Sequence, residues 1–354
     1  MILHKTLRPK VDETYFGLLE LISFLLSKSL TIRKEARAVL VSRMDLLDEL
    51  QSSVLCGDGA IGTLLLEAGI PLDRCFEELC VTDPDRIETI HQEYIGAGAR
   101  VIGTNTFGAN AARLARFGLE RRVGEINHAA AQIAAKTAQG KNVYVAGSVG
   151  PLGISGNEAS VRGIDREDCF REQVTALLEG GVQLIFFETF MDFEEMEIAL
   201  RVRKEIDDGL TICSFACAPE GRISSGMLLV DALTKVHSPN AQIVGVNCMN
   251  GPCGTVQLLQ RVPAEFLLSA YPNAGYPKYH EGRLVYDTTP ECFAQSAREM
   301  VAEGARLIGG CCGTNSKHIA AIAAAVANLG PVRSKPVRVG VELSRTPALG
   351  IARR

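Results

Sequence analysis

The 354-residue chain contains no tryptophan, and aromatic residues make up only 6% of it. It also lacks an excess of either charge, because 37 Lys and Arg against 41 Asp and Glu leave a net charge of −4. This balance argues against nucleic acid as a partner. No apolar run reaches the ~20 residues of a membrane span, and no signal peptide is visible. We therefore expect a cytoplasmic protein that binds neither nucleic acid nor membrane.

Eleven cysteines in a chain without a secretory signal do not indicate a disulfide framework. We expect reduced thiols, some of them packed as small apolar side chains and others available as metal ligands. Nothing in the composition indicates an oligomeric state.

The two ends of the chain differ from its middle. Residues 15–31 are apolar at helical spacing and predict an amphipathic helix. Met44 resembles a natural chain start. We interpret residues 1–43 as a dispensable helical extension, residues 44–330 as one domain, and the basic, proline-bearing residues 331–354 as a flexible tail.

Eight short apolar segments alternate with helical patterns across the middle of the chain, and their composition is that of strands buried on both faces. Asp83 and Pro84 predict a capped helix start, and glycines close several helices. Eight β-α units over ~260 residues predict a (β/α)8 TIM barrel, with a doubly wound open sheet as the alternative. The eight predicted strands are 54–59, 100–106, 143–150, 184–189, 211–217, 243–248, 265–272 and 306–313.

Residues 57–62 match the dinucleotide fingerprint G-x-G-x-x-G after the first strand. Asp58 would place a negative charge against the pyrophosphate, and the acidic residue expected ~20 positions later is missing. We therefore do not favour a nucleotide site. A nicotinamide or flavin oxidoreductase stays as an alternative.

Active sites of such barrels form at the carboxyl ends of the strands. The predicted strand ends are rich in polar and sulfur-bearing residues, and none of the six histidines lies there. Core packing alone does not explain this pattern, because buried polar groups need partners. The residues are Asp58, Asn105, Thr106, Ser148, Glu188, Thr189, Asn247, Cys248, Tyr271, Asn273, Cys311 and Cys312.

Cys248, Cys311 and Cys312 follow strands six and eight, whose ends can face each other across a barrel mouth. Three thiolates there would form a tetrahedral zinc site with one open position, provided that the chain bends at the adjacent pair. The alternative is that each is a small buried apolar side chain, as expected for Cys169, Cys213 and Cys217. Cys253 is a weaker ligand candidate, and an iron–sulfur site would usually require a fourth cysteine.

A zinc with three thiolates suits the alkylation of a substrate thiol better than hydrolysis, because coordination removes the thiol proton and keeps the sulfur nucleophilic. A carboxylate such as Glu188 at the end of an apolar strand needs a cation, either a substrate ammonium or an internal partner. Asp58 would likewise face either a substrate ammonium or an internal cationic partner. Asn105, Thr106 and Asn247 would orient a substrate carboxylate or satisfy loop backbone.

These segments resemble the homocysteine S-methyltransferase family in order over about residues 50–330. They are GDGAIGT (57–63), GTNTFGAN (103–110), GSVGPLG (147–153), FET (187–189), GVNCMNGP (245–252), SAYPNAGYP (269–277) and GGCCGT (309–314). The resemblance implies a TIM barrel with zinc on Cys248, Cys311 and Cys312, and homocysteine bound through its sulfur. It implies Glu188 and Asp58 near the substrate's amino group, with Asn105, Thr106 and Asn247 enclosing it. The product would be methionine.

The opening of the barrel segment is similar to the homocysteine-binding module of cobalamin-dependent methionine synthase and of bacterial fusions with methylenetetrahydrofolate reductase. This similarity implies methylcobalamin or methyltetrahydrofolate as donor, supplied by a separate protein rather than bound by a module of this chain. The alternatives are a small donor, S-methylmethionine or betaine. A non-catalytic protein that binds zinc or thiols is the alternative from another functional class.

We expect a chain that lacks residues 1–43 to remain soluble and active, since the family resemblance begins only after them. Purification of this shortened chain, followed by a thermal unfolding scan and an activity assay, would check the expectation. An insoluble product would show that the segment belongs to the folded core.

Overall fold

The computed structural model describes residues 46–239, 241–280 and 283–336. Eight parallel strands form its centre, and each coincides with one of the eight predicted segments. The strands are β1 (Leu55–Cys56), β2 (Val101–Gly103), β3 (Tyr144–Val149), β4 (Leu184–Phe190), β5 (Leu210–Phe215), β6 (Ile243–Asn247), β7 (Leu267–Tyr271) and β10 (Ala305–Ile308), and the antiparallel pair β8 (Lys278–His280) and β9 (Arg283–Val285) lies outside the barrel.

The strand order around the sheet is β1-β10-β7-β6-β5-β4-β3-β2. The two end strands also meet, because Gly57 forms a parallel bridge with Val101 and the Asp58 N–H donates to the Val101 carbonyl at 3.0 Å. The sheet is therefore closed on itself. The predicted (β/α)8 barrel is confirmed, and the open-sheet alternative was wrong.

Helices surround the barrel. They are α1 (46–52), α2 (Ile61–Glu67), α3 (Leu79–Thr82), α4 (Pro84–Gly96), α5 (Ala111–Leu114), α6 (Val123–Ala138), α7 (Gly156–Arg162), α8 (Arg166–Glu179), α9 (Phe193–Ile206), α10 (Leu229–Val236), α11 (Pro252–Leu259), α12 (Pro290–Ala302) and α13 (Ser316–Val326), with 3₁₀ turns at Ala115–Phe117 and Glu120–Arg122. Among the described residues, none of the helices is long and apolar enough to cross a membrane.

The predicted helix boundaries are largely confirmed. Pro84 begins α4, and Gly98, Gly181 and Gly304 follow helix ends with positive φ, as the helix-to-strand turns require. The Asp83 side chain does not cap α4, however. It instead pairs with the Arg86 guanidinium at 2.7 Å, and the expected capping hydrogen bond was wrong.

The first described helix closes the amino-terminal end of the barrel. Leu46 and Leu50 pack in one apolar cluster with the interior side chains of the strands. The Arg306 guanidinium donates to the Leu50 carbonyl at 3.3 Å, and Arg100 pairs with Glu49 at 2.9 Å. Short apolar helices cannot be placed on a barrel from periodicity alone, and the sequence did not predict this contact.

The unit that contains the barrel begins at Leu46. The predicted extension, residues 1–43, lies outside the described residues, and its boundary stays a prediction. Of the predicted tail, residues 331–336 are described. There the largely buried Lys335 ammonium donates to the Glu303 carbonyl at 2.7 Å and pairs with its carboxylate at 3.0 Å.

We expect Leu50→Ala to lower the free energy of unfolding by about 2–4 kcal/mol, because it leaves a cavity under the barrel. Leu72→Ala is the matched control, since Leu72 is 72% exposed and its truncation should change stability by no more than about 0.5 kcal/mol. Denaturant unfolding of both variants measures the difference. Equal stabilities would show that α1 does not contribute to the core.

Candidate active site

A cavity of about 420 Å³ opens at the carboxyl ends of the strands, where the sequence predicted the site. Three carboxylates, four aromatic rings and three cysteines contribute to its wall, whereas no Lys, Arg or His of the described residues lines it. The cavity therefore favours a positively charged ligand group. These side chains are Asp58, Glu77, Glu188, Phe76, Phe107, Phe186, Tyr271, Cys248, Cys311 and Cys312.

The structure brings the three predicted zinc ligands together. The Sγ atoms of Cys248, Cys311 and Cys312 all lie within 4.8 Å of one another, and those of Cys311 and Cys312 are 3.9 Å apart. Two thiolates on a tetrahedral zinc are separated by about 3.8 Å, given Zn–S bonds of ~2.3 Å. The donor set and its spacing therefore fit zinc. Cys253 is exposed and lies outside this group.

Turns of the backbone after β6 and β10 bring the three sulfurs close together. Cys248 follows β6 with a φ of +59°, a left-handed conformation that non-glycine residues rarely adopt. Strand β10 ends at Ile308. Cys311 and Cys312 lie beyond it, so their side chains need not point in opposite directions as neighbours in a strand do. Gly313 then turns with a φ of +81°, and the predicted bend at the cysteine pair is present.

The three sulfurs interact with one another. Hydrogen bonds from Cys311 and Cys312 lower the pKa of Cys248 well below the ordinary value of a thiol, and the same bonds raise the pKa of both donors. The Asn273 side chain adds a further hydrogen bond to Cys248. These hydrogen bonds favour the thiolate form of Cys248, which is the form that binds a metal ion.

Asp58 is buried and Glu188 half-buried beside the sulfurs. Burial raises the pKa of Asp58 to about 8, opposed by a 2.7 Å hydrogen bond from the Gly103 N–H and reinforced by the charge of Glu188. Burial also raises the pKa of Glu188 to about 7, although the Ser148 hydroxyl donates to this carboxylate. The internal ion pair considered for each of them is absent from the described residues, since no cation lines the cavity.

A bulge in β4 places two consecutive side chains in the cavity. Phe187 pairs with Cys213 and Phe190 with Phe215, so two residues of β4 stand opposite one residue of β5. Both of these residues, Glu188 and Thr189, line the cavity, which regular alternation would not permit.

The remaining predicted residues use their polar atoms within the protein. The Asn105 amide donates to the Phe76 carbonyl at 2.8 Å, and the Thr106 hydroxyl donates to the Ser148 carbonyl at 2.7 Å. Asn105 and Thr106 line the cavity, but Asn247 does not. The Asn247 side chain instead binds Thr189.

Gly57 and Gly59 lie where neighbouring side chains leave no room for a side chain. A side chain at Gly57 would overlap the Tyr271 hydroxyl, and one at Gly59 would lie 2.8 Å from the Thr314 hydroxyl. The Asp58 carboxylate between them faces the cavity. Gly57 and Gly59 are thus required for close packing inside the barrel.

Sequence reasoning missed Tyr286. Its ring lies against Gly313, and its hydroxyl hydrogen-bonds Cys312. Tyr286 directly follows β9, far from any barrel strand end, so no strand-end pattern could have identified it.

Comparison with known proteins agrees with this site. The family model for homocysteine S-methyltransferases matches residues 55–326. The methionine synthase of Mycobacterium tuberculosis (strain ATCC 25618 / H37Rv) is 34% identical over 308 residues, which are 80% of this chain and 26% of that protein. The methionine synthase of Mycobacterium leprae (strain TN) is 32% identical over 306 residues, 80% of this chain and 25% of that protein. The chain thus spans about a quarter of these relatives.

A solved structure is similar over nearly its whole length. The metallated form of the homocysteine methyltransferase MmuM from Escherichia coli aligns with a TM-score of 0.65 and 28% identity, covering 79% of this chain and 98% of that one. The family predicted from the sequence motifs is confirmed. The chain belongs to the homocysteine S-methyltransferase family.

Proposed function

We propose that this protein transfers a methyl group to the sulfur of homocysteine and forms methionine, with zinc held by Cys248, Cys311 and Cys312. The observation that carries the proposal is the group of three sulfurs within 4.8 Å of one another, at the wall of a cavity to which the described part of the chain contributes acidic side chains and no basic ones. Zinc bound there would take up the substrate thiol as a nucleophilic thiolate.

Asp58 and Glu188 would bind the α-ammonium group of homocysteine. Asp58 is buried and Glu188 half-buried in a cavity where none of the described residues offers them a basic side chain, so a ligand cation would stabilise their ionised forms. Asn105 and Thr106 line the same cavity and would enclose the substrate. The four aromatic rings of the wall exclude water from the reacting sulfur.

In the transfer, the substrate sulfur supplies the electron pair of the new S–CH₃ bond. The bond between the methyl group and its carrier breaks, and the carrier leaves with the electron pair of that bond. We infer a methylcobalamin or folate-linked donor, which the identity to the mycobacterial methionine synthases supports. S-Methylmethionine or betaine is the alternative donor.

A donor panel tests the proposal. Zinc-loaded protein is incubated with homocysteine and, in separate reactions, methylcobalamin, methyltetrahydrofolate with a cobalamin protein, S-methylmethionine or betaine, and methionine is quantified. Methionine from any one donor supports the proposal and identifies the donor class. Zinc and homocysteine binding without methionine from any donor would instead favour the non-catalytic binding protein.

We expect Cys248→Ser and Cys311→Ser each to remove the bound metal and the methyl transfer, because a serine hydroxyl is a poor zinc ligand. Elemental analysis of protein purified under reducing conditions should give about one zinc per chain for the wild type and none for the variants.

Cys253→Ser is the matched control for the loss of a thiol, since Cys253 is exposed and outside the group. It should keep both zinc and activity. Full zinc content in Cys248→Ser or Cys311→Ser would contradict the ligand assignment.

We expect Glu188→Gln to raise the KM for homocysteine about 10- to 100-fold, because a charged hydrogen bond to the ammonium is lost. In the wild type the KM should fall as the pH rises through about 7, the raised pKa of Glu188, since only the ionised carboxylate binds the ammonium. The KM of the Glu188→Gln variant should not show this fall with rising pH. Initial rates between pH 6 and 9 measure both effects.

Glu195→Gln is the control, because Glu195 is also a buried carboxylate but lies outside the cavity, where it accepts the Leu152 N–H at 2.8 Å. Its KM and pH dependence should follow the wild type. Loss of zinc from Glu188→Gln with an unchanged KM would overturn the assigned role.

A further inference from the structure

Two hydrogen bonds join the ends of β4 and β6, which are not neighbours because β5 lies between them. The Thr189 N–H donates to Asn247 Oδ1 at 2.8 Å, and Asn247 Nδ2 donates to Thr189 Oγ1 at 2.7 Å. We refer to them as the Asn247–Thr189 pair. It crosses the end of β5 at the edge of the cavity.

The pair holds an unusual backbone conformation. Thr189 has a φ of +63°, which is uncommon for any residue except glycine and a genuine outlier for a β-branched one. Such a conformation persists only where neighbouring groups enforce it. The two bonds from Asn247 engage both the backbone and the side chain of Thr189, and they supply this restraint.

Asn247 is in no position to contact the substrate itself. Its side chain is 1% exposed and does not line the cavity. Its Oδ1 and Nδ2 atoms both already bind Thr189. An effect of Asn247 on the reaction is therefore indirect, through Thr189 or through the adjoining Cys248.

We propose that Asn247 is a positioning residue that selects the length of the amino thiol, an inference that rests on the function proposed above. Thr189 directly follows Glu188, the proposed ammonium ligand, and Asn247 directly precedes Cys248, a proposed zinc ligand. The pair therefore sets the spacing between the groups that receive the ammonium and the sulfur. This spacing accepts homocysteine and disfavours cysteine, which is one methylene shorter.

The test compares Asn247→Ala, Thr189→Gly and the double variant. Calorimetric titration of the zinc-loaded proteins with homocysteine and with cysteine gives the two Kd values without turnover. A single methylene is worth about 10- to 200-fold in discrimination. We expect Asn247→Ala to reduce the preference for homocysteine by about tenfold.

Glycine adopts a φ of +63° without restraint, so Thr189→Gly in the Asn247→Ala background should restore most of the lost preference. Asn127→Ala is the matched control. Asn127 is a fully buried asparagine on α6 whose amide donates to the Ala109 carbonyl at 2.7 Å, away from the cavity. It should lower the thermal stability and leave the preference unchanged.

A double variant no more selective than Asn247→Ala, or an unchanged preference in Asn247→Ala, would overturn the inference. If Asn247→Ala does not fold, Thr189→Val takes its place, since it removes only the hydroxyl that accepts from Asn247. An unchanged preference in Thr189→Val would then overturn it. Failure of the wild type to bind either amino thiol would refute the proposed function instead.

Discussion

The site depends on acidic side chains that lie in a largely apolar cavity, to which no described residue contributes a basic side chain. Burial raises the pKa of Asp58 to about 8 and that of Glu188 to about 7, and the charges of Glu188 on Asp58 and of Cys248 on Glu188 raise them further. At the sulfurs, hydrogen bonds from Cys311 and Cys312 instead lower the pKa of Cys248 and favour its thiolate form. Groups of this kind gain most from cations, and the proposed function would supply both an ammonium and a zinc ion.

The barrel separates the residues that stabilise the fold from those that form the site, because they lie at opposite ends of its strands. At the amino-terminal end, Leu46 and Leu50 of α1 complete the apolar interior. At the carboxyl end, the described residues include three non-glycine residues with a strained backbone of positive φ, namely Thr189, Cys248 and Met249. All three lie where β4 or β6 ends, so the stability supplied at one end supports the strain required at the other.

Much of this arrangement could be predicted from the sequence. The strands are continuous apolar runs, and the cysteines directly follow two of them, so their meeting at the mouth required only the rule for barrel active sites. The bulge at Glu188 could not be predicted, because the restraint on Thr189 comes from Asn247 on a distant part of the chain.

The hydrogen-bond partners of Asn105 and Thr106 could not be predicted either, since the carbonyls of Phe76 and Ser148 come close to them only in the folded barrel. A residue type indicates what a side chain is able to bind, whereas the fold determines what it does bind. The capping bond expected of Asp83 failed for the same reason, because Arg86 competes for its carboxylate.

The raised pKa values also determine how stability and binding are related. An acid whose pKa is higher in the folded than in the unfolded state binds more protons when folded, so the fold loses stability as the pH rises from the unfolded pKa toward the folded one. For Glu188 that window runs from about 4.5 to about 7 and for Asp58 from about 3.8 to about 8. Under the proposed function, an ammonium ligand would favour the ionised carboxylates and offset part of this loss of stability.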